Sequence, residues 1–206
     1  MLKIAVLISG GGSNLQSIID NIESKKLNCS IEYVISDKEG AFGIDRAKKH
    51  NIKTFVFDRK IYKDTLSEKI LEVLDGKVDL IVLAGYLSII KGDILKKFKN
   101  QIINIHPSLI PSFCGKGMYG IKVHEKALEY GVKVTGCTVH FVDEGTDTGS
   151  IIIQKTVNVE DDDTPETLQK RVLVEEHKAL PEAIGLIANG KVKIHNRKVI
   201  IKAGVN

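Results

Sequence analysis

Asn104 and His106 stand two residues apart at the end of the apolar run Ile102 to Ile105, immediately before Pro107 and Ser108. Residues two apart on a strand share a face, so an amide and an imidazole point the same way. The amide is a fixed donor and acceptor that never titrates, whereas the imidazole exchanges a proton near neutral pH. Together they offer stabilisation of a developing oxyanion and proton transfer. Pro107 ends the strand because it cannot donate to a sheet ladder. A plainer reading, in which Asn104 caps a turn and His106 is a hydrogen-bonded strand-end histidine, stays open on these five residues.

A second chemical feature is Gly10-Gly11-Gly12-Ser13-Asn14, between the apolar run Lys3 to Ser9 and Leu15, Ile18, Ile19 and Ile22 at helical spacing. Strand, glycine turn and helix in that order aim backbone N–H groups at an anion, with the helix dipole adding attraction. Leu15 stands where a dinucleotide fingerprint needs its third glycine, and no Gly-Lys-Ser/Thr is present. What remains is a site for one phosphate, with Ser13 and Asn14 as side-chain donors; Ser13 merely capping the helix is the plainer alternative. The third feature is an acidic loop, Asp143-Glu144-Gly145-Thr146-Asp147-Thr148-Gly149, in which chain order does not choose among the three acids. Cys114 lies in the irregular stretch Pro107 to Ile121, which contains an Ile110-Pro111 bond able to adopt cis. No base is paired with this thiol in sequence, which disfavours it as a nucleophile.

These residues need elements to position them, and the periodicity supplies an alternation. Strands are expected at Lys3 to Ser9, Ile31 to Ile35, Lys53 to Phe57, Leu80 to Ala84 and Ile102 to Ile105, with helices at Ile44 to His50 and Tyr62 to Leu74 between them. The expected fold class is α/β, a mostly parallel doubly wound, Rossmann-like sheet with helices on both faces, in which ligands sit beyond the carboxyl ends of strands. Further on, a helix from Val123 to Tyr130 ends at Gly131. A strand from Val134 to Val142 puts Thr138, His140 and Val142 on one face, and Ile151 to Val159 returns. A long helix starts at Asp163-Thr164-Pro165-Glu166 and runs to Gly190, with Glu176 and His177 expected as a polar-face pair. Val192 to Ile194 and Val199 to Ile201 read as a hairpin at the sheet's edge. No repeat or linker divides the 206 residues, so a single domain over 1–206 is expected.

Composition narrows the class. With 43% hydrophobic and 27% charged residues the chain is an ordinary globular one, and its net charge of +4 is scattered without a basic block interleaved with aromatics. Small anionic molecules are therefore expected as ligands, with no nucleic acid and no membrane, and a cytoplasmic location is expected because no signal peptide or span is visible. Three cysteines without Cys-x-x-Cys indicate neither a disulfide framework nor a metal site.

Ile8-Ser9-Gly10-Gly11-Gly12-Ser13-Asn14-Leu15, Ala84-Gly85-Tyr86, Asn104-Ile-His-Pro-Ser108-Leu-Ile-Pro111, Gly136-Cys-Thr-Val-His140-Phe-Val-Asp143 and Asp147-Thr-Gly149 resemble, in order and over nearly the whole chain, the phosphoribosylglycinamide formyltransferases of the folate-dependent formyltransferase family. The resemblance implies transfer of a formyl group from 10-formyltetrahydrofolate, as co-substrate and without metal, to the amine of glycinamide ribonucleotide in purine synthesis. It implies that Asn104, His106 and Asp147 are catalytic, Asp147 being picked from the acidic loop by its place before Thr148-Gly149. Gly12, Ser13 and Asn14 would hold the ribonucleotide phosphate, with Glu176 near its sugar. The folate would lie along Leu87, Ser88, Ile89, Ile90, Asn104, Val142 and Asp143, with Arg59 near its glutamate tail. Some members carry arginine where Ser88 stands, so backbone contacts are expected there. A monomer or homodimer is expected.

Two rivals share these motifs. A formyltetrahydrofolate deformylase would use similar residues but is expected to carry an extra N-terminal domain, and an initiator-tRNA formyltransferase would need a C-terminal nucleic-acid domain. From a different class, a non-catalytic nucleotide-binding module would grip phosphate with the glycine turn and keep His106 structural.

Overall fold

Strands alternate with helices from the first residues onward in a computed structural model that describes residues 1–202. Two compact units emerge, Met1–Asn104 and the chain from Ile105 onward. The first contains β1 (Leu2–Ile8), α1 (Ser13–Glu23), β2 (Cys29–Ser36), α2 (Phe42–Lys49), β3 (Lys53–Val56), α3 (Arg59–Tyr62), α4 (Leu66–Leu74), β4 (Leu80–Leu83) and α5 (Asp93–Lys97), and most of β5 (Ile102–His106). β1 pairs with β2 and β4, β2 with β3, and β4 with β5, all parallel. Ile4 through Ile8 are all fully buried. Successive strand residues point to opposite faces, so both faces of β1 are covered, as the unbroken apolar run predicts.

The single helix expected from Tyr62 to Leu74 is divided. Asp58 accepts the Lys60 N–H and closes one short turn, α3. Lys63 then takes a left-handed φ of 44°, and a 3-10 turn leads into α4. The Tyr62 ring meets Phe57 edge-on with centroids 5.4 Å apart, so packing overrides a continuous helical period. The short helix α5 carries no amphipathic signal long enough to read in advance.

The second unit adds α6 (Ile121–Tyr130), β6 (Val134–Phe141), β7 (Ile151–Asn158), α7 (Pro165–Ala188), β8 (Val192–His195) and β9 (Lys198–Ile201). α6 ends on Gly131 at φ 78°. Thr164 caps α7 reciprocally with Thr167, and Pro165 sits at the first helical position, as its sequence predicts. β6 and β7 are antiparallel, with a register shift between Val139 and His140. The strand order is β3-β2-β1-β4-β5-β6-β7, a mostly parallel seven-stranded sheet of the expected α/β class. The terminal hairpin differs from expectation: β8 and β9 form a separate two-stranded sheet. Its ladder is closed within itself, Lys202 N–H donating to the Lys191 carbonyl at 2.8 Å.

Gly12 caps α1 in the left-handed conformation, and a Cβ there would lie 2.7 Å from the Gly43 Cα on α2. Gly12→Ala is therefore expected to cost about 1–3 kcal/mol through backbone strain and overpacking. The shift in the urea-unfolding midpoint measures it.

Candidate active site

His106 ends β5 with only 4% of its surface exposed. Its Nε2 lies 3.0 Å from the Phe113 carbonyl oxygen, which can only accept, so Nε2 carries a proton and donates. The other ring nitrogen, Nδ1, faces Asp147 Oδ2 at 3.6 Å. That oxygen also accepts the Gly115 N–H at 2.9 Å. On the far side of the carboxylate, His140 Nε2 stands 3.6 Å from Oδ1, and its Nδ1 donates to the Phe141 carbonyl at 2.8 Å. Both imidazole–carboxylate contacts stand at 3.6 Å, just beyond ordinary hydrogen-bond length. One carboxylate thus lies between two imidazoles, each pinned from behind by a backbone carbonyl.

Burial pushes the His106 imidazole below its ordinary range; the Asp147 charge and the Phe113 carbonyl oppose this, and His140 adds to it. The aspartate favours imidazolium, as expected of a neighbouring carboxylate, yet desolvation wins. Burial alone would raise Asp147, but His140, the charge on His106 and the Gly115 N–H outweigh it and hold the carboxyl below its usual value. His124, on α6, is buried and pushed down to about 4 by burial and by His106, so it is neutral at pH 7. The Cys114 thiol is raised by burial and by Asp147, and its Sγ donates to the Pro111 carbonyl. A protonated thiol is a poor nucleophile, in keeping with the sequence reading.

The loop after His106 is held by polar contacts from β6 and β7. Thr138 Oγ1 donates to the Ser108 carbonyl at 2.6 Å and accepts the Ile110 N–H at 3.1 Å. Gln154 Nε2 donates to Thr138 Oγ1 and to the Ile110 carbonyl. The Ile110-Pro111 bond is cis. Asp147 itself adopts φ 57°. Asp143 stitches its loop, accepting from the Gly145 N–H and the Thr148 hydroxyl, and is exposed, while Val142 is half-buried. Gly149 allows the closing turn, because a Cβ there would fall 1.8 Å from the Phe141 carbonyl oxygen. Glu176 departs from the expected polar face: it is 8% exposed and lies on the face of α7 that buries Val172, Ala179, Leu180 and Ala183. Its charge, after burial, helps push the Cys137 thiol to about 12.

Within the first unit, the glycine turn is tied to α2 through its carbonyls. Gly43 N–H donates to Gly10 O at 3.0 Å and Arg46 Nε to Gly11 O at 2.9 Å. Among the described residues the N–H groups of Gly11, Gly12 and Ser13 donate to nothing, which leaves them for an anion. Ser13 is the first helical residue and does not cap α1, and Asn14 is buried behind it. Asn104 is half-buried near the end of β5. Along the strip after β4, Leu87 and Ile89 are 46% and 64% exposed and Ile90 is buried. The Leu87 N–H donates to the Ser9 hydroxyl at 2.7 Å. Ser88 and Arg59 meet at one group that the sequence did not single out: fully buried Asp37 accepts from the Ser88 hydroxyl at 2.5 Å and lies 3.5 Å from the Arg59 guanidinium. Its place directly after β2 was the available signal. His140 was visible on its strand, but no spacing tied it to Asp147.

A family model described as formyl transferase matches residues 2–184. The chain belongs to that family. It is 44% identical over 197 residues to the trifunctional purine biosynthetic protein adenosine-3 of Homo sapiens, an alignment covering 93% of this chain and 19% of that protein. It is 42% identical over 195 residues to a chloroplastic phosphoribosylglycinamide formyltransferase of Arabidopsis thaliana, covering 93% of this chain and 67% of the plant protein. The chain thus spans about a fifth of the length of the human relative. Among solved structures, glycinamide ribonucleotide transformylase 1 from Symbiobacterium toebii matches with TM-score 0.93 and 43% identity, over 98% of this chain and 95% of that one. A formyltetrahydrofolate deformylase from Pseudomonas syringae matches with TM-score 0.89 and 25% identity, over 98% of this chain and 66% of that one. Among the described residues no helix is long and apolar enough to cross a membrane, and no group of three His, Cys, Asp or Glu is placed to hold a metal.

Two stability predictions follow from this geometry. Thr138→Val strands the Ser108 carbonyl and the Ile110 N–H and is expected to cost about 1–3 kcal/mol in urea unfolding. His124 binds its proton more weakly folded than unfolded, so stability is full above the ordinary value of 6.5 and declines as pH falls from there toward about 4. Urea titrations across that window should show a shallower decline in His124→Asn than in the wild type.

Proposed function

We propose that this chain transfers a formyl group from 10-formyltetrahydrofolate to the amine of glycinamide ribonucleotide, N1-(5-phospho-D-ribosyl)glycinamide, a step of de novo purine (IMP) synthesis. The observation that carries the reading is the buried His106 set against Asp147 and two residues beyond Asn104. The names of the human, plant and Symbiobacterium relatives support the choice of substrates. The family match runs through the boundary at residue 104, which supports one formyltransferase domain. The reading places the enzyme in the cytoplasm as a monomer or homodimer acting on small molecules.

The folate supplies the formyl carbon and a leaving nitrogen. Asn104 donates to the formyl oxygen as negative charge develops on it, a contribution of about 3 kcal/mol for one such donor. The attacking amine loses one proton and the leaving nitrogen gains one, and the pair His106–Asp147 serves that exchange. The free N–H groups of Gly12 and Ser13, with Asn14, take the ribonucleotide phosphate, and Glu176 takes its sugar. For the folate, exposed Leu87 and Ile89 suit the apolar aminobenzoyl portion, with Ser88, Ile90, Val142 and Asp143 along the pterin. Arg59, held by Asp37, suits the glutamate carboxylates.

Transfer of the formyl group to water is the second reading, favoured by the likeness to the Pseudomonas deformylase. Folate release measured with and without glycinamide ribonucleotide separates the two: release that ignores the ribonucleotide would favour the hydrolase. For the transferase, Asp147→Asn is expected to lower kcat by about 100-fold or more while changing the KM for the ribonucleotide far less. Unchanged turnover in steady-state assays would remove Asp147 from the mechanism.

A further inference from the structure

Three peptide planes make up the glycine turn before α1, and each is fixed by the bond that its carbonyl makes. A trans peptide is planar, with the C=O of one residue and the N–H of the next pointing in opposite directions. Holding the carbonyls of Gly10, Gly11 and Gly12 therefore aims the amides of Gly11, Gly12 and Ser13. Gly10 O accepts the Gly43 N–H at 3.0 Å, and Gly12 O accepts the Gln16 N–H at 2.9 Å in the first turn of α1. Both are backbone bonds. The Gly11 carbonyl between them is held by a side chain, Arg46, whose Nε donates to it at 2.9 Å. The guanidinium is itself fixed on two more sides. Its Nη1 donates to Gln16 Oε1 at 3.1 Å, while Gln16 Nε2 donates to Asp20 Oδ1 at 2.9 Å, which leaves the amide oxygen for the arginine. Phe42, four residues before Arg46 on α2 and so on the same helix face, has its ring centroid 5.0 Å from the guanidinium carbon.

We propose that Arg46 is a positioning residue of the phosphate turn: by holding the Gly11 carbonyl it aims the Gly12 N–H at the phosphate of the ribonucleotide. Its own donors go to the Gly11 carbonyl and to Gln16, so it acts through the backbone. The proposal rests on the reading that the turn takes this phosphate, and deepens it by naming what preorganises the amide. Glycine has the widest backbone freedom, so an unheld plane between Gly11 and Gly12 would present its carbonyl to the anion in part of the ensemble. Fixing the plane in advance removes that ordering cost from binding. Lysine is no equivalent, because one ammonium on a flexible stem lacks the planar fork that reaches the Gly11 carbonyl and Gln16 together. The close approach of α2 that Gly12 and Gly43 allow brings the guanidinium within reach.

Amide resonances of Gly11, Gly12 and Ser13, followed by NMR as inorganic phosphate is added, test this without turnover. In the wild type they are expected to shift saturably; no such shift would remove the phosphate site, and the proposal with it. In Arg46→Met, which keeps an extended side chain without donors or charge, phosphate affinity is expected to fall about tenfold, with the Gly12 resonance changed most. Arg46→Lys keeps the charge and should still lose about threefold or more. In steady-state assays of Arg46→Met the KM for the ribonucleotide should rise about tenfold, while kcat and the KM for 10-formyltetrahydrofolate stay within about twofold. A merely structural arginine would lower the urea midpoint and leave both phosphate affinity and the ribonucleotide KM of the folded protein unmoved, which would overturn the proposal. Wild-type phosphate affinity in Arg46→Lys would assign the effect to charge alone and overturn it equally, and this arm decides if Arg46→Met fails to fold. Phosphate affinity lowered in Arg46→Met, in a protein whose wild type shows no formyl transfer, would refute the assigned reaction and leave the aiming role standing.

Discussion

Asp147 is the group around which the second unit is arranged, because a carboxylate with so little exposure must have every oxygen answered. One oxygen takes the Gly115 N–H, and both face imidazole nitrogens. Meeting that demand requires a loop from after β5 to come within 2.9 Å, a left-handed backbone at Asp147 itself, and a histidine at the bulged end of β6. Each histidine is in turn held by a carbonyl. Burying a carboxylate is offset only when its oxygens are answered by well-placed donors, and here the backbone supplies one in the Gly115 N–H.

The same logic governs the loop from Pro107 to Gly120. Its early carbonyls and amides are buried, so they need partners, and Thr138 and Gln154 provide them from neighbouring strands. Side chains on β6 and β7 therefore help decide where Phe113 and Gly115 lie; the Phe113 carbonyl decides which nitrogen of His106 keeps its proton, and the Gly115 N–H holds Asp147. Strand, loop and protonation state form one chain of cause.

In the first unit the corresponding constraint is the close approach of Gly12 to Gly43. With no Cβ on either, α2 reaches the glycine turn and binds its carbonyls, so the amides of Gly11, Gly12 and Ser13 have no protein partner among the described residues. Asp37 shows the converse case. A fully buried carboxylate gathers the Ser88 hydroxyl and the Arg59 guanidinium, side chains from segments far apart in sequence.

Periodicity was enough for the alternating strands and helices and the parallel class, because burial on one or both faces imposes spacings of 2 or 3.6 on the residues themselves, and the cap residues Gly131 and Thr164-Pro165 marked the end of α6 and the start of α7. It also singled out Asn104 and His106, two positions apart on one strand, and the glycine turn, since both are local in the chain. It could not choose Asp147 over Asp143 or Glu144. That choice came from the family resemblance, and the contacts of Asp147 come from tertiary packing. His140, Asp37 and the inward turn of Glu176 were likewise legible only in three dimensions. The break before α4 and the self-contained terminal hairpin escaped the sequence because a ring contact or a closed ladder outweighs local propensity. Local pattern records which face is buried; which charge meets which is decided by segments that meet only after folding, and no spacing in the chain encodes a distance of 3.6 Å across 41 and 7 residues.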